Sequence, residues 1–147
     1  MTQVTSAWPV LAEQAQKRVV ELEAKLRAAK DHEQQLKDQL MRVTNMVSEY
    51  RTKQHELERS GTLADSVNCR QFLSQLSGVA VTAETNYMRY ASVVFALNQQ
   101  LKAAYIEQEK MKKLVEREKK AQRQLADKQA QKSLDDLATM RHGWRHA

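Results

Sequence analysis

Apolar residues recur at alternating steps of three and four along most of this chain, with one interruption at Ser60-Gly61-Thr62. Such steps average 3.5 residues, a repeat that keeps one apolar seam of a helix facing a partner helix. Before the interruption the ladder comprises Trp8, Ala12, Ala15, Val19, Leu22, Leu26, Ala29, Glu33, Leu36, Leu40, Val43, Val47, Tyr50, Gln54 and Leu57. After it come Leu73, Leu76, Ala80, Ala83, Tyr87, Tyr90, Val94, Leu97, Leu101 and Ala104. Two seams joined by a short turn predict an all-α fold, a long two-helix antiparallel coiled-coil hairpin.

The two arms of the predicted hairpin are unequal, and the second helix is the longer. We expect a single coiled-coil rod over residues 1–147, with helix 1 at about 7–59, the turn at about 60–65, helix 2 at about 66–139 and a disordered tail at 141–147. Thr5 or Ser6 can cap the first helix, and Asp65 or Ser66 the second. A fold about residue 62 brings Trp8 near residue 117. The helix beyond it would then project alone, and isolated helices of that length are marginal in water.

The composition of the chain indicates the cellular compartment in which it works. No stretch approaches the roughly 20 apolar residues that cross a bilayer, and residues 1–10 lack the features of a signal peptide. Cys69 is the only cysteine, so no intramolecular disulfide can form, which favours a reducing compartment. These observations predict a cytoplasmic protein.

Chemical sites are sparse. No nucleophile has a recognisable base, and no phosphate-binding loop or cofactor motif occurs, so we expect neither enzyme activity nor a cofactor. His142 and His146 are four residues apart, but solvated tail histidines are favoured over a metal site. Residues 102–132 carry ten basic and five acidic residues. A solvated face of mixed charge explains them better than nucleic-acid binding, although a nucleic-acid-binding helical hairpin remains an alternative.

The better candidate site is apolar. Phe72, Leu76, Val79 and Ala83 follow one another down the second helix at i, i+4, i+7 and i+11. Two of them, Phe72 and Val79, lie just beside the seam. Exposed apolar patches often mark protein contacts, but the pattern fits a widened seam near the hairpin tip equally well.

Short runs of this sequence resemble the FliJ family, the stalk-like subunit of the flagellar type III export ATPase complex. The similarity lies in Glu49-Tyr50-Arg51 before the turn, in Gln71-Phe72-Leu73 with Leu76 after it, and in the run from Gln131 to Ala138, QKSLDDLA. The length, the two-helix plan and the basic late helix agree over the whole chain.

The resemblance implies a non-enzymatic protein that joins a hexameric export ATPase to the membrane export gate and also contacts export chaperones. It implies that Phe72, Leu76, Val79 and Ala83 face the export gate. Lys119, Lys120 and Arg123, at the other end, would meet an acidic lining of the ATPase ring. Such a protein would be cytoplasmic and peripherally associated with the cytoplasmic face of the cell membrane. The equivalent stalk protein of a virulence-type secretion injectisome is the alternative within this reading.

Overall fold

The computed structural model describes residues 7–145, which form two helices. Helix α1 spans Trp8–Ser60 and helix α2 spans Leu63–Arg145. The helices are antiparallel, because contacts pair low numbers in one with high numbers in the other: Tyr50 touches Phe72, whereas His32 touches Tyr90. The predicted all-α hairpin with a longer second helix is confirmed. The predicted caps Thr5 and Ser6 lie outside the described residues.

The turn is shorter than the sequence predicted. Thr62 caps α2, since its Oγ1 accepts a hydrogen bond from the backbone N–H of Asp65 at 3.2 Å and its carbonyl accepts one from Ser66 at 3.1 Å. The helix therefore begins at Leu63 rather than at about residue 66, and Asp65 lies in its first turn, where a negative charge is favoured. Asp65 and Ser66 do not cap the helix, because the Thr62 hydroxyl already bonds to the exposed amides about one turn earlier.

Gly61 permits this tight connection. Its N–H still donates to the carbonyl of Leu57 at 2.9 Å. A Cβ at Gly61 would lie 2.8 Å from Cδ2 and 2.9 Å from the carbonyl oxygen of Leu57. Real Cβ atoms essentially never approach backbone that closely, so the absence of a side chain is what lets the chain turn here.

Contacts divide the chain into two compact units, and residues 20–102, which include the turn, form one of them. Every ladder position in this unit is buried or half-buried, in agreement with the predicted seam. The buried residues of this unit are Leu22, Leu26, Ala29, Val47 and Gln54 on α1, and Ser66, Cys69, Leu76, Val94 and Leu101 on α2.

The other unit comprises residues 1–19 and 103–147, of which the structure describes 7–19 and 103–145. Val19 and Ala104 are buried in it. Half-buried positions on α2 end at Glu118, and all residues from Lys119 to Trp144 are exposed. The seam thus stops within a residue or so of the point that the unequal arms predicted.

The end of α2 corrects the predicted disordered tail. The helix continues through residues 141–145, whereas residues 146–147 lie outside the described range. No proline follows Met140, and the single glycine, Gly143, disfavours a helix by only about 1 kcal/mol relative to alanine. Nothing local is strong enough to end the helix earlier.

Candidate partner-binding surfaces

An apolar face borders the seam near the turn, and we call Phe72, Val79 and Ala83 the tip face. The side chain of Phe72 keeps 40% of its surface exposed and that of Val79 keeps 53%, while Ala83 is half-buried. The Phe72 ring leans on Tyr50 of α1, with centroids 4.7 Å apart and planes tilted by 53°. Both helices therefore hold the aromatic group in place while leaving much of it open to a partner.

Leu76 does not share that exposure. It lies at the seam and is only 8% exposed, so α1 covers its side chain. Of the four residues that the sequence grouped, the structure brings Phe72, Val79 and Ala83 to an accessible face and places Leu76 beneath it. Leu76 can support the face but presents little surface of its own.

A groove continues the tip face between the helices. It has a volume of about 680 Å³ and is open to one side. Its apolar walls are Val79 and Ala83 from α2 and Val43 from α1. Gly78 of α2 stands at the outer rim, where no described atom lies within 4 Å of the position that a Cβ would take. The groove is too open to enclose a small ligand but could receive a side chain from another protein.

A polar cluster ties the helices together beside the tip face. Gln54 of α1, buried in the seam, donates from Nε2 to Oγ of Ser66 at 3.2 Å and to Oε1 of Glu58 at 3.0 Å. Arg70 of α2 donates to the same Glu58 carboxylate at 3.2 Å. The hydrogen bond from Gln54, followed by that from Arg70, lowers the pKa of Glu58 below the ordinary value of a glutamate. This cluster sets the register of the helices next to the turn.

The second candidate surface is the exposed part of α2. Lys119, Lys120 and Arg123 all lie on it, just beyond the last half-buried position, Glu118. Because no seam covers this segment, its cations are accessible from every side of the helix. They belong to the unit of residues 1–19 and 103–147, whereas the tip face belongs to the unit of residues 20–102.

The sequence pattern did not assign any role to Val81, which is 64% exposed on α2. Met88 and Phe95 are similarly exposed and follow it at intervals of seven residues. This seven-residue spacing is the sequence signal that could have grouped the three residues, but the ladder of the seam is the more prominent pattern.

Within residues 7–145, no group of three or more His, Cys, Asp and Glu side chains could hold a metal ion. His146, one of the two tail histidines, lies outside this range. In the same part of the chain, no helix is long and apolar enough to cross a membrane.

Comparison with protein families identifies a match over nearly the whole chain. The family model described as "Flagellar FliJ protein" matches residues 9–146, which is nearly the whole chain. Neither a curated protein nor a solved structure matches the chain. The family match agrees with the short sequence runs that resemble this family on both sides of the turn and near the end of α2.

Proposed function

This chain belongs to the FliJ family of flagellar proteins, which implies a place in flagellar type III protein export, and we propose that it is the non-catalytic link between a hexameric export ATPase and the membrane export gate. In this role it also contacts export chaperones. It works in the cytoplasm and associates peripherally with the cytoplasmic face of the membrane. The flagellar match favours this system over a virulence-type injectisome.

The tip face supports the gate side of this proposal. Phe72 and Val79 are large apolar side chains that remain 40% and 53% exposed although a covered seam runs directly beside them. Tyr50 holds the Phe72 ring from the other helix, so little side-chain freedom remains to be lost when a partner binds. An aromatic anchor held in advance next to an open groove is typical of a protein-binding hot spot.

Gate binding is tested with the double variant Phe72→Ala, Val79→Ala. The purified chain is titrated against the cytoplasmic part of the export gate, and helicity is followed by circular dichroism. Truncating two anchor residues should weaken binding by about 2 kcal/mol or more, which is roughly thirtyfold or more in the dissociation constant. Leu76 is left intact, because replacing a buried seam residue would confuse lost binding with lost stability.

The chain supplies a matched control. Val81→Ala, Phe95→Ala removes the same two residue types from α2, at positions that are 64% and 65% exposed. This variant should bind the gate as the unaltered chain does. Equal binding by both double variants and the unaltered chain, with helicity preserved, would remove the tip face from the proposal.

The exposed part of α2 supports the ATPase side. Lys119, Lys120 and Arg123 stand where α2 leaves the seam, and this accessible cationic segment could enter an acidic ring lining. Complementary charge of this kind accelerates docking and weakens with salt. We propose these three residues as the ring contact.

Reversing the three charges to glutamate tests this contact. Binding to the hexameric ATPase should fall, and the salt dependence that the unaltered chain shows should become flatter. The matched control reverses Lys128 and Lys132, which lie on the same exposed helix further from the seam. If the triple variant binds the ATPase with unchanged affinity and salt dependence, the ring contact lies elsewhere.

A further inference from the structure

Helix α2 carries a second ladder on the side away from the seam. We call it the outer stripe: Gly78, Val81, Thr85, Met88, Ser92, Phe95 and Gln99, again in alternating steps of three and four. All seven residues are exposed, and the side chains of Val81, Met88 and Phe95 keep 64%, 61% and 65% of their surface open. One heptad pattern in α2 is covered by α1, whereas this one is covered by no residue that the structure describes. A repeat of this kind is what a helix needs in order to pack along a further helix.

Two polar members of the outer stripe, Thr85 and Ser92, tolerate burial. The Thr85 hydroxyl donates to the carbonyl of Val81 at 2.9 Å, and the Ser92 hydroxyl donates to that of Met88 at 3.2 Å. Because each hydroxyl proton is already used within α2, covering the stripe would leave neither donor unsatisfied. At Gly78, space is open around the backbone, so a neighbouring helix can come close.

The charges beside the stripe indicate which helix would cover it. From Gln71 to Leu101 the chain has only two charged residues, Glu84 and Arg89. When Gly78 is placed at heptad position a, Val81 and Met88 occupy d, Glu84 occupies g and Arg89 occupies the following e. These are the two positions that form ion pairs between the helices of a coiled coil and that decide partner and orientation. In a parallel pair of identical helices, a g residue lies opposite the e residue five positions later in the other strand.

Neither charge has such a partner among the residues that the structure describes. Residues five apart lie on opposite edges of the stripe, beyond the three- and four-residue spacings at which side chains on one helix meet. Glu84 and Arg89 also form no ion pair with any residue in the described range 7–145. An uncharged ladder flanked by one acid and one base at this spacing is complementary to itself.

We infer that the outer stripe is a self-association surface, on which a second copy of this chain packs its own outer stripe in parallel and in register. The two-fold axis makes the Glu84–Arg89 contact twice, and the same patch serves both copies. Lys102 takes the next d position after Phe95, and two like charges facing each other there end the interface. About three heptads with small residues at position a make a weak, concentration-dependent dimer. The inference does not rest on the proposed function and uses a different side of α2 from the tip face.

Charge reversal tests the inference on the full chain by sedimentation equilibrium over a range of concentrations at low salt. Each single variant, Glu84→Arg or Arg89→Glu, replaces two attractions by two repulsions and should raise the dissociation constant of the dimer by about tenfold or more. The double variant should return it close to the original value. Mixing the two single variants should restore dimers, because each supplies the charge that the other lacks.

Two results would overturn the inference. One is a chain that stays monomeric at every concentration, which would leave the outer stripe to a helix of another protein. The other is a double variant that associates no better than the single variants. Circular dichroism of each variant separates lost association from lost helix, and charge changes at these exposed positions should leave the signal unchanged.

Disulfide cross-linking tests whether the two copies of α2 in the dimer are parallel. In a Cys69→Ser background, Val81→Cys should form a disulfide with its own copy under mild oxidation, as should Phe95→Cys. In an antiparallel pair the d positions face the a positions, so Val81→Cys would instead link to Gln99→Cys when the two variants are mixed, and that result would refute the parallel register. Gln100→Cys, exposed on α2 but outside the stripe, is the control and should link much less.

The matched valine and phenylalanine variants separate this inference from the proposed function. Val81→Ala, Phe95→Ala should abolish self-association and preserve gate binding. Phe72→Ala, Val79→Ala should do the reverse. Either proposal can therefore fail while the other stands.

Discussion

Gln54 is a polar residue buried in the seam next to the turn, 7% exposed, and its replacement by leucine tests how the seam gains its stability. Its Nε2 makes the two hydrogen bonds to Ser66 and Glu58. Its Oε1 is buried and accepts no hydrogen bond from any residue that the structure describes. The amide group therefore makes favourable contacts through one atom and leaves the other unsatisfied.

The expected effect follows from three terms. Gln54→Leu removes two hydrogen bonds, which together contribute about 1–3 kcal/mol, and also removes a buried unsatisfied oxygen that costs about 1–3 kcal/mol. These two terms offset each other. Ser66 keeps an alternative, because its hydroxyl can donate to the carbonyl four residues earlier, as Ser77 does. What remains is the apolar burial of leucine, so we expect a net gain of about 1–2 kcal/mol in the free energy of unfolding.

The measurement is urea unfolding followed by circular dichroism at 222 nm. The midpoint should rise at constant slope, since the surface exposed on unfolding hardly changes. Gln34→Leu is the matched control: Gln34 also donates to an acid four residues later, Asp38, at 3.0 Å, but lies exposed on α1. Away from the seam, that substitution should change stability by less than about 0.5 kcal/mol.

A loss of more than about 1 kcal/mol in Gln54→Leu would refute this reasoning. It would mean that the Nε2 hydrogen bonds outweigh both the unsatisfied oxygen and the apolar gain. The substitution has a second expected effect, because the hydrogen bond from Gln54 is the largest cause of the lowered pKa of Glu58. In Gln54→Leu, the Glu58 pKa measured by carboxyl NMR should move up towards the ordinary value. A third expected effect is looser register, since polar seam residues specify register at a cost in stability.

Three further predictions concern the turn, pH and the two sides of α2. Gly61→Ala should lower the free energy of unfolding by about 1–3 kcal/mol, because its Cβ would meet the Leu57 backbone at under 3 Å; an unchanged urea midpoint would contradict the close contact. The lowered pKa of Glu58 contributes stability that is complete above the ordinary glutamate pKa and is lost as the pH falls through the lowered value. In Glu58→Gln, the urea midpoint should therefore depend less on pH in that acid range. If the midpoint falls as steeply with pH as in the unaltered chain, Glu58 is not the group responsible. Leu76→Ala should destabilise by about 2 kcal/mol or more and Val81→Ala by less than about 0.5, since only Leu76 lies in the seam; equal losses would contradict that assignment.

Much of the fold could be predicted from the sequence, because the residues that a coiled coil buries recur at a regular spacing along each helix. The 3.5-residue ladder selected the side chains that α1 and α2 bury, including the polar Gln54, and the off-centre turn placed the end of the seam near Trp8 and residue 117. Helix ends were less predictable. The sequence offered Asp65 and Ser66 as caps of α2, but the cap in the structure is Thr62. The path of the backbone through Gly61 places the Thr62 hydroxyl next to the free amides at the start of the helix.

The candidate site could be predicted only as a stretch of sequence. The pattern grouped four residues on α2 and left open whether they formed a contact surface or a widened seam. Their exposure separates them: Phe72 and Val79 are open while Leu76 is covered. A one-dimensional repeat cannot make this distinction, because residues on the edge of a seam are covered or exposed according to the crossing of the partner helix.

The pairing of two unequal helices along one apolar seam thus follows from the order of amino acids alone, because the period of a seam is a property of each helix. The sequence also carried the runs that indicate a flagellar export family. The packing of the two helices sets which apolar side chains α1 covers, how Gln54 and Arg70 converge on Glu58, and that α2 keeps a second ladder exposed. Each of these depends on where the other helix lies, and that position is set by contacts between residues far apart in the chain.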